Sequence, residues 1–146
     1  VFMTLHAIGA HYTYSEVPFG FWLRDTFGFA RNPFDRIVHF SFGLLMAYPI
    51  REVFLRVANA RGVWAYYLPL DVTLAFSALY EIMEMVVATM VAPGTGDAWL
   101  GTQGDVWDPQ KDMGLGALGA LLCRVITALI RKLRAPRPVL LAGEKL

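Results

Sequence analysis

The sequence predicts an all-α integral membrane bundle, three full spans plus an N-terminal helix end, and three observations carry that prediction. Apolar residues make up 56% of the 146 residues and charged residues only 17%, with a mean hydropathy of +0.46; a soluble domain is about 25% charged. Three apolar runs are long enough to cross a bilayer, which takes about 20 residues at about 1.5 Å rise each. None alternates with the period of a strand, and a continuous apolar run satisfies its own backbone in lipid only as a helix. The same composition excludes a disordered chain, a fibrous rod and a basic nucleic-acid binder. The single cysteine, Cys123, excludes an internal disulfide and a thiolate cluster.

Taken in order, Val1–Ala10 is apolar, but ten residues cover only about 15 Å. It reads as the end of a helix that begins upstream, with a re-entrant segment as the alternative. No basic stretch precedes it, so no cleavable signal peptide is expected. Pro18, Gly20, Gly28, Asn32 and Pro33 mark a loop. The first full span runs from Ile37 to Ile50 and on into Val53–Val57, interrupted only by His39, Pro49 and the Arg51–Glu52 pair. The second, Trp64–Val91, carries Asp71, Glu81 and Glu84. Pro93, Gly94, Gly96, Gly101 and Gly104 mark the next loop. Asp108 followed by Pro109 reads as an N-cap with proline at the first helical position. The third span, Asp112–Ile130, carries only Arg124, and its Gly116 and Ala120, with Gly114 and Gly119, suit close helix contact. Residues 1–135 are therefore read as one transmembrane domain and 136–146 as a basic, proline-containing tail.

Lysine and arginine bias sets the expected orientation. Nine of the 13 bases lie at one end, around Arg51, Arg56 and Arg61 and from Arg124 to the C-terminus; Arg24, Arg31, Arg36 and Lys111 lie at the other. The tail is expected in the cytoplasm of a bacterial inner membrane, and the two long loops in the periplasm. Trp22, Trp99 and Trp107 at one boundary and Trp64, Tyr66 and Tyr67 at the other read as interfacial belts.

On this map all three histidines and nine of the 12 acids fall in the outer half. His6, His11 and Glu16 follow one another at the first helix end; Asp35 and His39 open the first span; Glu81 and Glu84 close the second; Asp105, Asp108 and Asp112 lead into the third. Asp35 and His39, and Asp108 and Asp112, are four apart and so share a helical face; Glu81 and Glu84, three apart, do the same. His6 and His11, five apart, diverge by about 140° and meet only if the helix bends at Gly9–Ala10. Intramembrane acids are costly unless protonated or paired. Imidazole and carboxylate donors without thiolate suit Zn, Fe or Mn. Glu81, Glu84, His39, Asp35, His6 and His11 are thus candidate metal ligands, and Glu16, Asp105, Asp108 and Asp112 candidates for supporting or loop ligands. No helix carries Glu-x-x-His, so a ferritin-like dimetal site is not supported. Structural readings stand beside these. Asp108 reads as a cap, His39 as a hydrogen-bonded core histidine, and Asp25 and Asp97 as solvated acids. Arg24, Arg31 and Arg36 pair with loop carboxylates, Asp71 forms an ion pair with Arg124, and Met83, Met85 and Met90 are packing residues.

Four ordered motifs add a resemblance: LHAIGAHYTYSEVPFG, NPFDRIVHFSFG, SALYEIMEM and GTQGDVWDPQKDMGLGALGA, spread from Leu5 to Ala120. Together they resemble the YjdF-type bacterial inner-membrane proteins. The resemblance implies further apolar segments upstream. It also implies a polar signature on His6, His11, Tyr12, Glu16, Asp35, His39, Glu81, Glu84, Asp105, Asp108 and Asp112, nearly the set that topology gathers. It supplies no substrate.

Three functions compete. One is a metalloprotein, and potentially a metal-dependent enzyme, acting on a lipid headgroup or a periplasmic small molecule. Another is a cation- or proton-binding transport protein, although only Asp71 continues a path through the inner half. The third is a non-catalytic subunit of a larger membrane complex. The expected partners are the lipid bilayer and other membrane subunits or a second copy, and no nucleic acid.

Overall fold

A computed structural model describes residues 1–91, 96 and 101–134. The described residues form five helices and no strand: α1 (Phe2–His11), α2 (Pro18–Phe27), α3 (Phe34–Arg56), α4 (Trp64–Met90) and α5 (Asp108–Arg134). The last three are long and apolar enough to cross a membrane. They pack as a triangle, with α3 pressed most closely on α5, and α1 leans on α3. Much of the large apolar surface faces outward, including Leu74, Phe76, Leu79 and Ile82 of α4 and Leu118, Leu121 and Val125 of α5. In water that surface would drive association; in a bilayer it is the solvated face.

Each span is continuous for a local reason. α3 and α4 carry Pro49 and Pro69 inside them without breaking. Pro69 offers no N–H to the Ala65 carbonyl one turn earlier, and the Thr73 hydroxyl adds a hydrogen bond to the Pro69 carbonyl at 2.7 Å. Small residues set the α3–α5 distance. A Cβ on Gly43 would overlap the Gly116 carbonyl oxygen, and one on Gly119 would overlap the Phe40 carbonyl. Backbones therefore touch where dispersion and close fit, rather than hydrophobicity, hold helices together in lipid. Ala47, Ala120 and Cys123 close the seam below. Gly114, expected in this contact, faces open space; Gly43 supplies the opposing surface instead.

The segment expected as a loop holds a helix. Pro18 occupies the first turn of α2, and Gly28 ends it in the left-handed region at φ 69°. The signals read as loop punctuation are the start and stop of this short helix. α3 begins at Phe34, three residues before its apolar run, and α5 begins at Asp108, where the Asp108–Pro109 pair places the helix start. The 12–17 turn, α2, α3 and the 101–104 loop meet at Asn32, which is 1% exposed. Its side-chain amide donates to the Ser15 and Val17 carbonyls at 2.9 and 3.0 Å, and its Oδ1 accepts the Phe34 N–H at 3.0 Å. Its own N–H donates to Gln103 Oε1 at 2.9 Å, and its carbonyl accepts from Gln103 Nε2 at 3.0 Å.

Two further expectations change. Arg124 does not pair with Asp71: its guanidinium lies 5.2 Å over the Tyr66 ring, while Asp71 faces outward and has no ion-pair partner among the described residues. Met83, Met85 and Met90 are exposed rather than packed inside. Asp97, Trp99 and the 136–146 tail lie outside the described residues.

Candidate metal centre

The first turns of α3 and α5 and the last turns of α4 bring Asp35, His39, Glu81, Glu84 and Asp112 together. Asp35, His39, Glu84 and Asp112 are 5% exposed or less. His39 Nε2 lies 3.5 Å from Asp35 Oδ1 and 3.4 Å from Glu81 Oε1. One ligand atom each from Asp35, His39 and Asp112 falls within 4.8 Å of the others, as does one each from His39, Glu81 and Glu84. His39 is common to both groups. Asp35 Oδ1, Glu81 Oε1 and Asp112 Oδ1 are buried without a hydrogen-bond partner. The 101–104 loop covers the group: Gly101, at φ 62°, has room for no more than van der Waals contact with Asp35 Oδ2.

Asp105 and Asp108 are engaged elsewhere. Asp108 is held by Arg31, whose Nη2 reaches its Oδ2 at 3.0 Å, and by Arg36 Nη2 at 3.3 Å. Its side chain is therefore neither a cap nor a ligand, because two guanidiniums take its lone pairs. Asp105 makes the local cap instead, its Oδ1 accepting the Trp107 N–H at 3.2 Å. Asp105 Oδ2 receives Lys111 Nζ at 2.6 Å and Arg36 Nη2 at 2.9 Å. The Lys111 ammonium, joined by the Trp107 amide and Arg36, holds the Asp105 carboxyl below the usual carboxylate range. Arg31 and Arg36 thus pair with loop carboxylates as expected, and Arg24 pairs with the exposed Asp25 at 2.8 Å.

The N-terminal candidates separate. His6 approaches the centre, but through tyrosines: Tyr14 Oη lies 3.0 Å from His6 Nδ1 and 2.8 Å from Tyr80 Oη. The Tyr80 ring stands edge-on to His39 with centroids 5.8 Å apart. α1 does not bend at Gly9–Ala10, so His11 points away, exposed, against the Tyr12 ring. Tyr12 and Glu16 are exposed as well. Tyr14 takes the place expected of Tyr12. Thr13 and Tyr14 adopt φ 49° and 52°, which folds the Tyr14 ring back over Gly9, where a Cβ would overlap it. Burial pushes the Tyr14 phenol up to about 12, so it is a neutral donor at physiological pH. Tyr14, Tyr80 and Ser77 are the residues that sequence reasoning missed. Tyr80 was within reach of it, since it stands four before Glu84 on the same face.

Two openings lead to the centre. A cavity of about 220 Å³ between α1, α3 and α4 is lined by Phe2, His6, His39, Phe42, Ser77 and Tyr80, among others. A groove of about 400 Å³ between α4 and α5 exposes Glu81 beside Ile82, Met85 and Met113.

Three membrane spans enclosing a histidine–carboxylate group at one end define a multi-pass membrane protein with an intramembrane polar centre. The chain belongs to the family described as "Predicted membrane protein (DUF2238)", which matches residues 1–133. It is similar to "Inner membrane protein YjdF" of Escherichia coli (strain K12), with 43% identity over 129 residues, 85% of this chain and 61% of that relative. The chain thus spans about 61% of the length of the curated relative it matches. No solved structure matches. The four motifs read from the sequence lie inside the matched region, and the chain is a multi-pass inner-membrane protein.

Proposed function

We propose that this chain is an intramembrane metalloprotein that holds one divalent cation, Zn, Fe or Mn, on His39 with Asp35, Glu81, Glu84 and Asp112, and acts on a lipid headgroup or a small periplasmic molecule. One observation carries the reading. The gaps of 3.4 and 3.5 Å from His39 Nε2 to two partnerless carboxylate oxygens are long for hydrogen bonds. Each gap separately matches the spacing of neighbouring ligands around a cation, about 3.4 Å for bonds of about 2.1 Å, and a four-coordinate cation at His39 would take its carboxylates from the Asp35–Asp112 and Glu81–Glu84 groups that share this imidazole. Four carboxylates around one imidazole in a low-dielectric bundle repel one another strongly unless a cation or protons intervene. The donor set is imidazole and carboxylate with no thiolate, which suits these metals.

A cation there would supply the positive charge that polarises an oxygen-bearing substrate and activates water. The chain's own groups do the rest. The cavity at His39 and Ser77 and the groove at Glu81 admit a ligand from either side of α4. Glu81 is the ligand that the groove reaches, and the Tyr80–Tyr14–His6 chain is placed to carry a proton away from the centre. The lysine and arginine bias supports a periplasmic position for this end. Asp105, Asp108, His11, Tyr12 and Glu16 are left out of the ligand set, because they are paired with cations or exposed.

The alternative is a polar core held together by shared protons, and one substitution separates the two readings. Glu84→Gln keeps shape and removes one charge. With a cation bound, it lowers metal content and the melting temperature of the loaded protein, because a ligand that binds only the folded state stabilises it. Chelation then erases the difference from wild type. A core of repelling acids gives the opposite sign: Glu84→Gln melts at the same or a higher temperature, chelator changes nothing, and the metal reading fails.

A further inference from the structure

A second feature lies on the other side of the α3–α5 seam. Arg36 and Phe40 are four apart on α3, about 100° round from Asp35 and His39; Lys111 and Leu115 are four apart on α5, offset from Asp112 in the opposite sense. They face a groove of about 890 Å³ whose far wall is α2, with Leu23 and Phe27, and the following Phe29. Its rim is charged and its floor apolar. Phe40 and Leu115 each lie four residues, about one turn, beyond Arg36 and Lys111, about 6 Å below the rim. Among the described residues Arg31, Arg36 and Lys111 meet two carboxylates, Asp105 and Asp108, which leaves an excess of one positive charge among them. The Nε groups of Arg31 and Arg36 are buried donors without partners.

α2 fixes the depth of this rim. Phe19 and Trp22 stack on its outward face, Phe27 and Phe29 stack on each other at its groove end, and all four are exposed. Exposed aromatics beside polar residues on a short helix next to the bundle's end are the make-up of a helix that lies at the interface. The cationic rim is then level with phosphates, and the apolar floor with the first acyl carbons.

We propose that this groove is a binding site for an anionic phospholipid, with the phosphate at Arg36 and Lys111 and an acyl chain against Phe40 and Leu115. Charge complementarity selects the occupant: an acyl chain alone leaves the rim charge unmet, and a soluble anion leaves the apolar floor uncovered. The site does not rest on the metal reading, since it shares no proposed ligand with it.

The test titrates the full chain in neutral detergent with phosphatidylglycerol and, separately, phosphatidylcholine of the same acyl chains, read by native mass spectrometry. Wild type is expected to retain phosphatidylglycerol roughly fivefold better, the scale of one basic residue facing an anionic surface. Lys111→Glu, at a side chain half exposed and so tolerant of change, is expected to abolish that preference. Ala30→Trp, which fills the groove without altering charge, is expected to reduce retention of phosphatidylglycerol in particular. Equal retention of the two lipids by wild type overturns the proposal, as does a preference that survives both substitutions. So does an Ala30→Trp chain that changes oligomeric state while keeping the preference, because the groove then faces a second copy.

Discussion

His39 joins two sets of acids because α3 turns its imidazole towards Asp35 and Asp112 on one side and Glu81 and Glu84 on the other. Tyr14 has a comparable linking role. Its hydroxyl hydrogen-bonds both His6 and Tyr80, and the residue is 1% exposed. Tyr14→Phe leaves a tyrosine hydroxyl and a histidine nitrogen without their partner in a buried setting. The expected loss is about 1–3 kcal/mol of stability, read by thermal melting in detergent; an unchanged melt would mean the chain of hydroxyls holds nothing. At this scale the sequence was informative where helical spacing governs and silent where it does not. Asp35/His39 and Glu81/Glu84 converge as their i,i+4 and i,i+3 spacing implies. The exchange of Tyr12 for Tyr14, and the turning away of His11, depend on two left-handed residues, Thr13 and Tyr14. Neither is glycine or asparagine, the residues that announce such a turn.

The bundle is positioned by two contacts between elements. The first is the α3–α5 seam, where Gly43 and Gly119 let backbones touch. Gly43→Ala drives a methyl into the Gly116 carbonyl, which only a shift of both helices relieves. Overpacking of this kind costs about 1–3 kcal/mol, and because Asp35, His39 and Asp112 lie on the same two helices, it should also weaken metal retention. Melting and metal content measured on one preparation check both. The second contact is Asn32, which fastens the turns at the centre's end of the bundle. Asn32→Ala strands the Ser15 carbonyl and the Phe34 N–H and is expected to loosen that end, seen as faster amide exchange at residues 15–34 and 101–104. Asp105 adds a pH dependence with a defined sign. Its folded-state pKa is depressed, so its stabilisation is present above the ordinary carboxylate pKa and is lost as pH falls through the lower folded value. Asp105→Asn should remove that acid limb and lower stability at neutral pH. Spans were legible because apolar length in lipid leaves only one answer. α2 was not, because its ten residues mix polar and apolar side chains and its Pro18 and Gly28 punctuate a helix as well as a loop.

Across the whole molecule, two ends of one bundle carry opposite characters. The α2 end holds the histidine–carboxylate group, and the other holds Arg51, Arg56, Arg61 and the last-turn Arg131, Lys132 and Arg134. The charge bias predicts that the latter is cytoplasmic. A cysteine at exposed Val106 should react with a membrane-impermeant maleimide from the periplasm and one at exposed Ala58 should not, with the native Cys123 buried at 8% exposure; the reverse pattern would invert the orientation. The central claim is that a cation, and not protons, balances the acids around His39. Elemental analysis of protein purified without chelator tests it most directly. The account predicts close to one Zn, Fe or Mn per chain in wild type, largely lost in His39→Ala and in Asp35→Asn and retained in His11→Ala. Wild type with no stoichiometric divalent metal, even after incubation with each of these ions, would contradict it.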